Sequence, residues 1–183
     1  MKLSEYIQAV KTLCVEIHEE DMDGWEMERL TNRIILAANM GARDIARSTF
    51  PLFATSDIVN GPDEWKAPED YLRLKEWDGG KGERFIDKDG KECLRCLDEA
   101  EYRITYYRTH KKMEKAEDTF EYPDDVMNAL IYYGAYHVLS ADNDKRGFVY
   151  FKNLYDQECV NIIANRPGRM TVMKGKRGGM NVL

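Results

Sequence analysis

The stretch YPDDVMNALIYYGAYHVLS, residues 122–140, gives the strongest indication of the fold. Pro123 suits the first turn of a helix, where its missing N–H costs nothing, and Asp124 and Asp125 complement the helix dipole there. The rest of the stretch is apolar on nearly every side, with tyrosines set among aliphatic side chains. A helix of this kind must be enclosed by other elements or share a face with another subunit. We expect it over residues 123–141, covered by its neighbouring helices and by a sheet.

A second, more polar helix is predicted directly after it, over residues 144–165. The link between the two is only a few residues long, so they should form an antiparallel hairpin. The apolar side chains of the second helix recur at helical spacing and should face the first: Phe148, Phe151, Leu154, Tyr155, Ile162 and Ile163.

Two more helices are predicted near the N-terminus, over residues 4–18 and 24–47. Ser4 can cap the first, and Asp23 with Glu26 forms a capping-box-like start for the second. The second has an apolar stripe at helical spacing, which should be buried. Most of its arginines should face solvent or a partner: Arg29, Arg33, Arg43 and Arg47.

Strand and turn signals fill residues 52–109. Residues 87–90 (DKDG) predict a hairpin turn, because Asp-Gly tolerates the positive φ of a tight turn. Tyr102, Ile104 and Tyr106 alternate with polar residues and should share one face of a strand. The fold class is therefore α+β and mainly α: a four-helix bundle-like core with an antiparallel β region inserted between the second and third helices. The core spans residues 1–166.

Residues 167–183 differ in character from the rest of the chain. They carry four bases, no acid and four glycines, and they show no periodicity. Such a segment is expected to be extended or disordered until it binds something, although a frayed end is the commoner fate. The apolar Met170, Val172, Met173 and Val182 favour binding, since a purely solvating tail seldom needs them. We therefore predict an extended C-terminal arm.

Composition and charge argue against a dedicated nucleic-acid binder, a membrane-spanning protein and a secreted protein. The 183 residues favour one domain, and a net charge of −6, from 33 acids and 27 bases, counts against a dedicated nucleic-acid binder. No stretch reaches the roughly 20 apolar residues of a membrane span, and residues 1–20 lack the pattern of a signal peptide. We expect synthesis in a reducing cytoplasm, with four free thiols: Cys14, Cys93, Cys96 and Cys159.

The motif search yields no specific chemistry. Cys93 and Cys96 form a single CxxC, whereas a structural zinc site needs four ligands, and on a strand the two side chains point to opposite faces. His18 lacks the second histidine of a metalloprotease helix, and no phosphate-binding loop or nucleophile motif occurs. We expect no catalysis and no cofactor. A small thiol- or metal-dependent regulator that uses Cys93 and Cys96 remains an alternative.

Taken together, these segments resemble the head–tail connector (adaptor) proteins of tailed bacteriophages. The hairpin that opens with YPDDVMNALIYYGAYHVLS is similar to the C-terminal part of that family, where a proline and acids lead into a tyrosine-rich helix. APEDYLRLKEW (67–77) and YRITYYR (102–108) resemble its strands, and two helices ahead of the strands match its usual order. The resemblance covers most of residues 1–166.

The resemblance implies a structural role in the neck of the virion, after synthesis in the host cytoplasm. Family members form a ring, typically of about twelve copies, beneath the portal. The ring extends the channel for passing double-stranded DNA, without sequence specificity, and offers a platform to a stopper or tail-completion protein. C-terminal arms commonly grip the portal. Carried over here, the portal-binding arm would use Arg166, Arg169, Met170, Val172, Met173, Lys174, Lys176 and Arg177.

A closed ring joins neighbouring subunits through two different surfaces. We expect the arginine-bearing second helix of one copy to meet an acidic face of the next. The residues of this interface would be Glu16, Glu19 and Glu20 on one side and Arg29, Arg33, Arg43 and Arg47 on the other. A virion DNA-binding accessory protein that acts through the basic tail is a further alternative.

Overall fold

Four helices and seven strands make an α+β fold in the computed structural model, which describes residues 1–14, 23–141 and 145–165. The helices are α1 (Leu3–Leu13), α2 (Gly24–Ser48), α3 (Asp124–Ala141) and α4 (Lys145–Ala164). The strands, all between α2 and α3, are β1 (Leu52–Thr55), β2 (Val59–Asn60), β3 (Glu64–Lys66), β4 (Tyr71–Asp78), β5 (Gly82–Ile86), β6 (Glu92–Cys96) and β7 (Glu101–Arg108).

The start of α1 differs from the prediction, because Lys2 and not Ser4 occupies the capping position. The Glu5 carboxylate accepts a hydrogen bond from the backbone N–H of Lys2 at 2.8 Å. The N–H groups of Leu3 and Ser4 donate to carbonyl oxygens of the loop before α3, at 2.8 and 3.1 Å. A distant loop therefore satisfies the first N–H groups of the helix, and no side-chain cap is needed. The predicted end at residue 18 lies outside the described residues.

The start of α2 confirms the predicted capping box. The Asp23 carboxylate accepts from the N–H of Glu26 at 2.8 Å, and the Glu26 carboxylate accepts from the N–H of Asp23 at 3.4 Å. Two N–H groups without helical partners are thereby satisfied. The predicted apolar stripe is buried throughout: Leu30, Ile34, Ala37, Ala38, Gly41 and Ile45.

The helices α3 and α4 form the predicted antiparallel hairpin. The ring of Tyr132 lies 6.2 Å from that of Phe151, and the ring of Tyr136 lies 5.7 Å from that of Phe148. From Tyr132 to Tyr136 the chain advances along α3, whereas the partner residue on α4 moves back from Phe151 to Phe148. The two helices are therefore antiparallel. On the inner side, the Tyr155 hydroxyl of α4 donates to the Asp44 carboxylate of α2, so α4 also lies beside α2.

The central position of α3 explains its apolar surface. It packs mainly against α4, α2 and α1, and nine of its residues are buried. Gly134 allows α1 to come close, because a Cβ at this position would lie 2.3 Å from the Tyr6 hydroxyl. The expectation that a sheet also covers α3 is largely wrong. Among the described residues, Leu52 of β1 is the single strand residue in the buried core around α3.

The β region has a smaller core of its own. Strand β7 lies between β4 on one edge and β1 followed by β2 on the other, all antiparallel, and β6 lies between β3 and β5 in a second sheet. Tyr102, Ile104 and Tyr106 of β7 are buried, as predicted, and Ile104 and Tyr106 pack with Trp65 and Leu94 of the second sheet. The hairpin turn at residues 87–90 is confirmed, with Gly90 at φ 77°.

The loop between β7 and α3 connects the β region to the helices. The side-chain amide of Asn39 on α2 donates to the carbonyl of Met113 and accepts from its N–H, both at 2.9 Å. His110 accepts from the N–H of Glu121 at 2.7 Å, so its other ring nitrogen donates to the carbonyl of Lys111 at 2.6 Å. Burial lowers the pKa of His110, which keeps the ring neutral at pH 7 in the form that this hydrogen bond requires.

Candidate interaction surfaces

One line of exposed side chains runs along the solvent side of α2. These residues recur every three or four positions and so lie on one face of the helix. We call them the α2 stripe: Trp25, Arg29, Asn32, Leu36, Met40, Arg43 and Arg47. Trp25 is 65% exposed and Leu36 is 58% exposed, which is unusual for large apolar side chains on an amphipathic helix. The stripe therefore combines apolar and cationic groups on an exposed surface, and its Met40 and Arg43 lie beside Glu69 and Tyr71 of the β region.

The arginines of α2 have different environments. The Arg29 guanidinium lies 5.5 Å from the centre of the Trp25 ring, a cation–π arrangement that keeps both groups at the surface. Arg33 is half-buried and donates to the carbonyl of Val138 at 2.6 Å, near the end of α3. Arg29, Arg43 and Arg47 are exposed as predicted, whereas Arg33 helps to hold α2 against α3.

A shallow depression of about 420 Å³ lies at the N-terminal end of the α2 stripe. Its apolar lining residues are Trp25 and Leu36, and its polar lining residues are Glu28, Arg29, Asn32 and Arg33, so cations outnumber acids there. Trp, Arg and Met are enriched in the centres of protein interfaces, where an apolar body and a directed polar group are both used. The chemistry of this surface fits a protein partner with apolar groups and at least one acid. A DNA backbone would leave Trp25 and Leu36 uncovered.

A second line of exposed side chains lies on α4. It consists of Val149, Asn153, Asp156 and Val160, and we call it the α4 stripe. Val149 is 52% exposed and Val160 is 64% exposed. Asp156 pairs with Lys152 of the same helix at 2.6 Å. Sequence reasoning missed this surface, although the eleven-residue spacing of the two valines places them three turns apart on one side of the helix.

A third exposed surface lies on the outer face of the four-stranded sheet. The Phe53 ring lies 5.6 Å from the Tyr107 ring, and the Arg73 guanidinium lies 4.4 Å from the centre of the Tyr107 ring. Lys75 lies 5.6 Å from the centre of Phe53 and also pairs with Glu76. The cations of this surface lie over aromatic rings of the same sheet, in the same type of arrangement as Arg29 over Trp25 on α2.

Apart from Arg33, the predicted binding residues outside these surfaces fall in parts of the chain that the structure does not describe. On the acidic side of the proposed subunit contact these are Glu16, Glu19 and Glu20. In the arm they are Arg166, Arg169, Met170, Val172, Met173, Lys174, Lys176 and Arg177. Their roles therefore stay predictions.

The cysteine pair of the β region lies in strand β6, and both side chains are buried. Burial raises the pKa of the Cys93 and Cys96 thiols, which disfavours the nucleophilic thiolate form. Within residues 1–14, 23–141 and 145–165, no three histidine, cysteine, aspartate or glutamate side chains gather closely enough to hold a metal ion. Both cysteines act as small packing residues in this region.

A comparison with models of known protein families gave no match, and a comparison with curated proteins gave none either. None of the helices in the described ranges combines the length and apolar character needed to cross a membrane.

Proposed function

We propose that this protein is a structural adaptor in the neck of a tailed bacteriophage, where copies form a ring beneath the portal. In this proposal the four helices make a bundle-like core, the β region is inserted between α2 and α3, and residues 167–183 form an extended arm. The ring continues the DNA channel and presents a platform to a stopper or tail-completion protein. The protein acts by fitting between other subunits, without catalysis and without a cofactor.

The observation that carries the proposal is the α2 stripe. An isolated protein gains nothing from holding Trp25 and Leu36 in water, whereas a subunit of an assembly can bury them against its neighbour. The stripe also places Arg29, Arg43 and Arg47 on a chain whose net charge is −6. Neighbouring copies of an acidic chain would attract this face. The order of elements, two helices before the strands and a hairpin after them, supports the same reading through the family resemblance.

The charge of the chain suits a channel through which DNA must slide. In a ring of about twelve copies, the net charge would be about −72. An acidic wall repels phosphate, so the passing duplex does not adhere to it. If the subunit contacts cover the α2 stripe, its bases do not line the channel. These bases are Arg29, Arg43 and Arg47.

Removal of residues 167–183 should weaken attachment to the portal while the fold stays intact. The arm carries bases and methionines that would become ordered against the portal, and we expect the core to fold without them. We expect the full chain to co-sediment with purified portal from the same genome, and the truncated chain to remain mostly in the supernatant. Circular dichroism and thermal unfolding should be the same for both chains.

A matched control keeps the length of the arm and reverses its charge, by changing Arg169, Lys174, Lys176 and Arg177 to glutamate. This variant should also lose portal attachment, since the bases contribute to the contact. Equal co-sedimentation of the full and truncated chains would contradict the role of the arm. Loss of folding in the truncated chain would contradict the domain boundary.

A further inference from the structure

The α2 and α4 stripes match each other when one helix is reversed. Read forwards, the first part of the α2 stripe is Trp25, Arg29, Asn32 and Leu36. Read backwards, the α4 stripe is Val160, Asp156, Asn153 and Val149, with the same intervals of four, three and four residues. The order on both is apolar, charged, asparagine, apolar, and the two charges are opposite.

We infer that the α2 stripe of one copy docks antiparallel onto the α4 stripe of a second copy. The inference deepens the proposed function, and closure of such contacts into a ring rests on that proposal. The surface that covers the α2 stripe is thus the α4 stripe of another copy of the same protein. The contact is heterologous, because two different faces meet, so each copy can bind two neighbours.

The geometry of the two helices allows this contact. Eleven residues span about 16 Å along a helix, so Trp25 can lie over Val160 while Leu36 lies over Val149. Arg29 then lies opposite Asp156, and Asn32 opposite Asn153, whose side-chain amides can each donate and accept. Asp156 exchanges its pairing with Lys152 of the same helix for a pairing with Arg29 of the neighbour.

The apolar ends supply most of the attraction. An exposed ion pair contributes little to affinity, so the pairing of Arg29 with Asp156 mainly fixes register and direction. Trp25, Leu36, Val149 and Val160 are all more than half exposed in the single chain, and docking would remove their apolar surface from water.

The two stripes cannot meet within one copy. The inner sides of α2 and α4 both pack on α3, and the Tyr155 hydroxyl of α4 donates to the Asp44 carboxylate of α2. The stripes lie on the outer sides of both helices, where their side chains are exposed. Only a second molecule can bring an α4 stripe onto an α2 stripe.

Two single variants test the inference, each with one stripe blocked. Leu36→Glu places a carboxylate in the α2 stripe, and Val160→Glu places one in the α4 stripe. Sedimentation velocity should show concentration-dependent self-association of the wild-type chain up to about 1 mM, and each variant alone should self-associate about 10-fold or more weakly. An equimolar mixture of the two variants should form a 1:1 dimer and nothing larger, because each supplies the stripe that the other lacks.

A matched control and a second pair of variants complete the test. Ile86→Glu changes a side chain on β5 that is 64% exposed, and it should associate like the wild type. Arg29→Asp and Asp156→Arg should each weaken association alone and restore it when combined in one chain. These exposed charge changes leave the core unaltered, so the result does not depend on whether the glutamate variants fold.

Three results would overturn the inference: a wild-type chain that stays monomeric throughout, a mixture of blocked variants that forms no dimer, or an Ile86→Glu chain that weakens equally. Rings on the portal formed by the Leu36→Glu chain would also overturn it while leaving the proposed function in place. If the wild-type chain self-associates through these stripes but does not bind the portal, the inference stands and the proposed function is overturned.

Discussion

Replacement of Leu130 by alanine should lower the free energy of unfolding by about 2–5 kcal/mol. Leu130 is fully buried on α3, and one of its methyl carbons lies 3.3 Å from where a Cβ on Gly41 of α2 would stand. Its carbonyl accepts a hydrogen bond from the Tyr6 hydroxyl at 3.0 Å, so three helices meet around this residue. Truncation leaves a cavity that these packed helices cannot fill. Urea denaturation followed by circular dichroism measures the change.

Leu36→Ala is the matched control for Leu130→Ala. It removes the same atoms from a helical leucine that is 58% exposed, so the free energy of unfolding should change by less than about 0.5 kcal/mol in dilute solution. Equal losses for the two variants would show that α3 is not enclosed by α1, α2 and α4.

Gly134→Val should destabilise the fold by about 3 kcal/mol, through overpacking and not through a cavity. The first added carbon alone would lie 2.3 Å from the Tyr6 hydroxyl and 2.7 Å from a methyl carbon of Val10. Both partners belong to α1 and are fully buried, so relief requires α1 to move away from α3. Thermal unfolding of the variant, compared with wild type at the same concentration, measures the loss.

Gly24→Val provides the comparison for Gly134→Val, because nothing lies within 4 Å of an added Cβ at the start of α2. It should leave the melting temperature nearly unchanged. A second variant, Gly134→Ala, should fall between wild type and Gly134→Val, since the better helix propensity of alanine offsets part of the clash. A Gly134→Val chain as stable as wild type would refute the close approach of α1 to α3.

The helices were predictable because their signals are local. Asp23 and Glu26 lie three residues apart, and both the capping box and the buried stripe of α2 follow from spacing within one segment. The α3–α4 hairpin follows from a short link and an apolar pattern. The turn at residues 87–90 follows from the tolerance of glycine for positive φ. None of these depends on a distant part of the chain.

The contacts of the loop before α3 were not predictable, because their partners are distant in sequence. Asn39 binds Met113 across 74 residues, and Leu3 of α1 donates to Asp118. The loop looks polar by composition, yet Met113 and Phe120 are buried. Periodicity cannot show which side chains of an irregular segment face inwards. The cap preference of serine likewise could not show that this distant loop accepts from the N–H groups of Leu3 and Ser4.

The candidate surface was predictable in part. The arginines of α2 fall on the polar side of an amphipathic helix, so their exposure follows from the pattern. The exposure of Trp25, Leu36 and Met40 does not, because it depends on which neighbours leave that side uncovered. The half-buried position of Arg33 depends likewise on where α3 ends beside it. The α4 stripe was missed because Val149 and Val160 lie outside the apolar pattern predicted to face α3, and their exposure likewise depends on which neighbours leave that side of α4 uncovered.

The proposed ring beneath the portal can be checked by negative-stain imaging of the purified chain mixed with the portal from the same genome. We expect closed rings of this chain at one end of the portal, coaxial with its channel. If portals without rings are seen beside unassembled chains, at chain concentrations well above those at which sedimentation velocity shows self-association, the protein does not act as a portal adaptor.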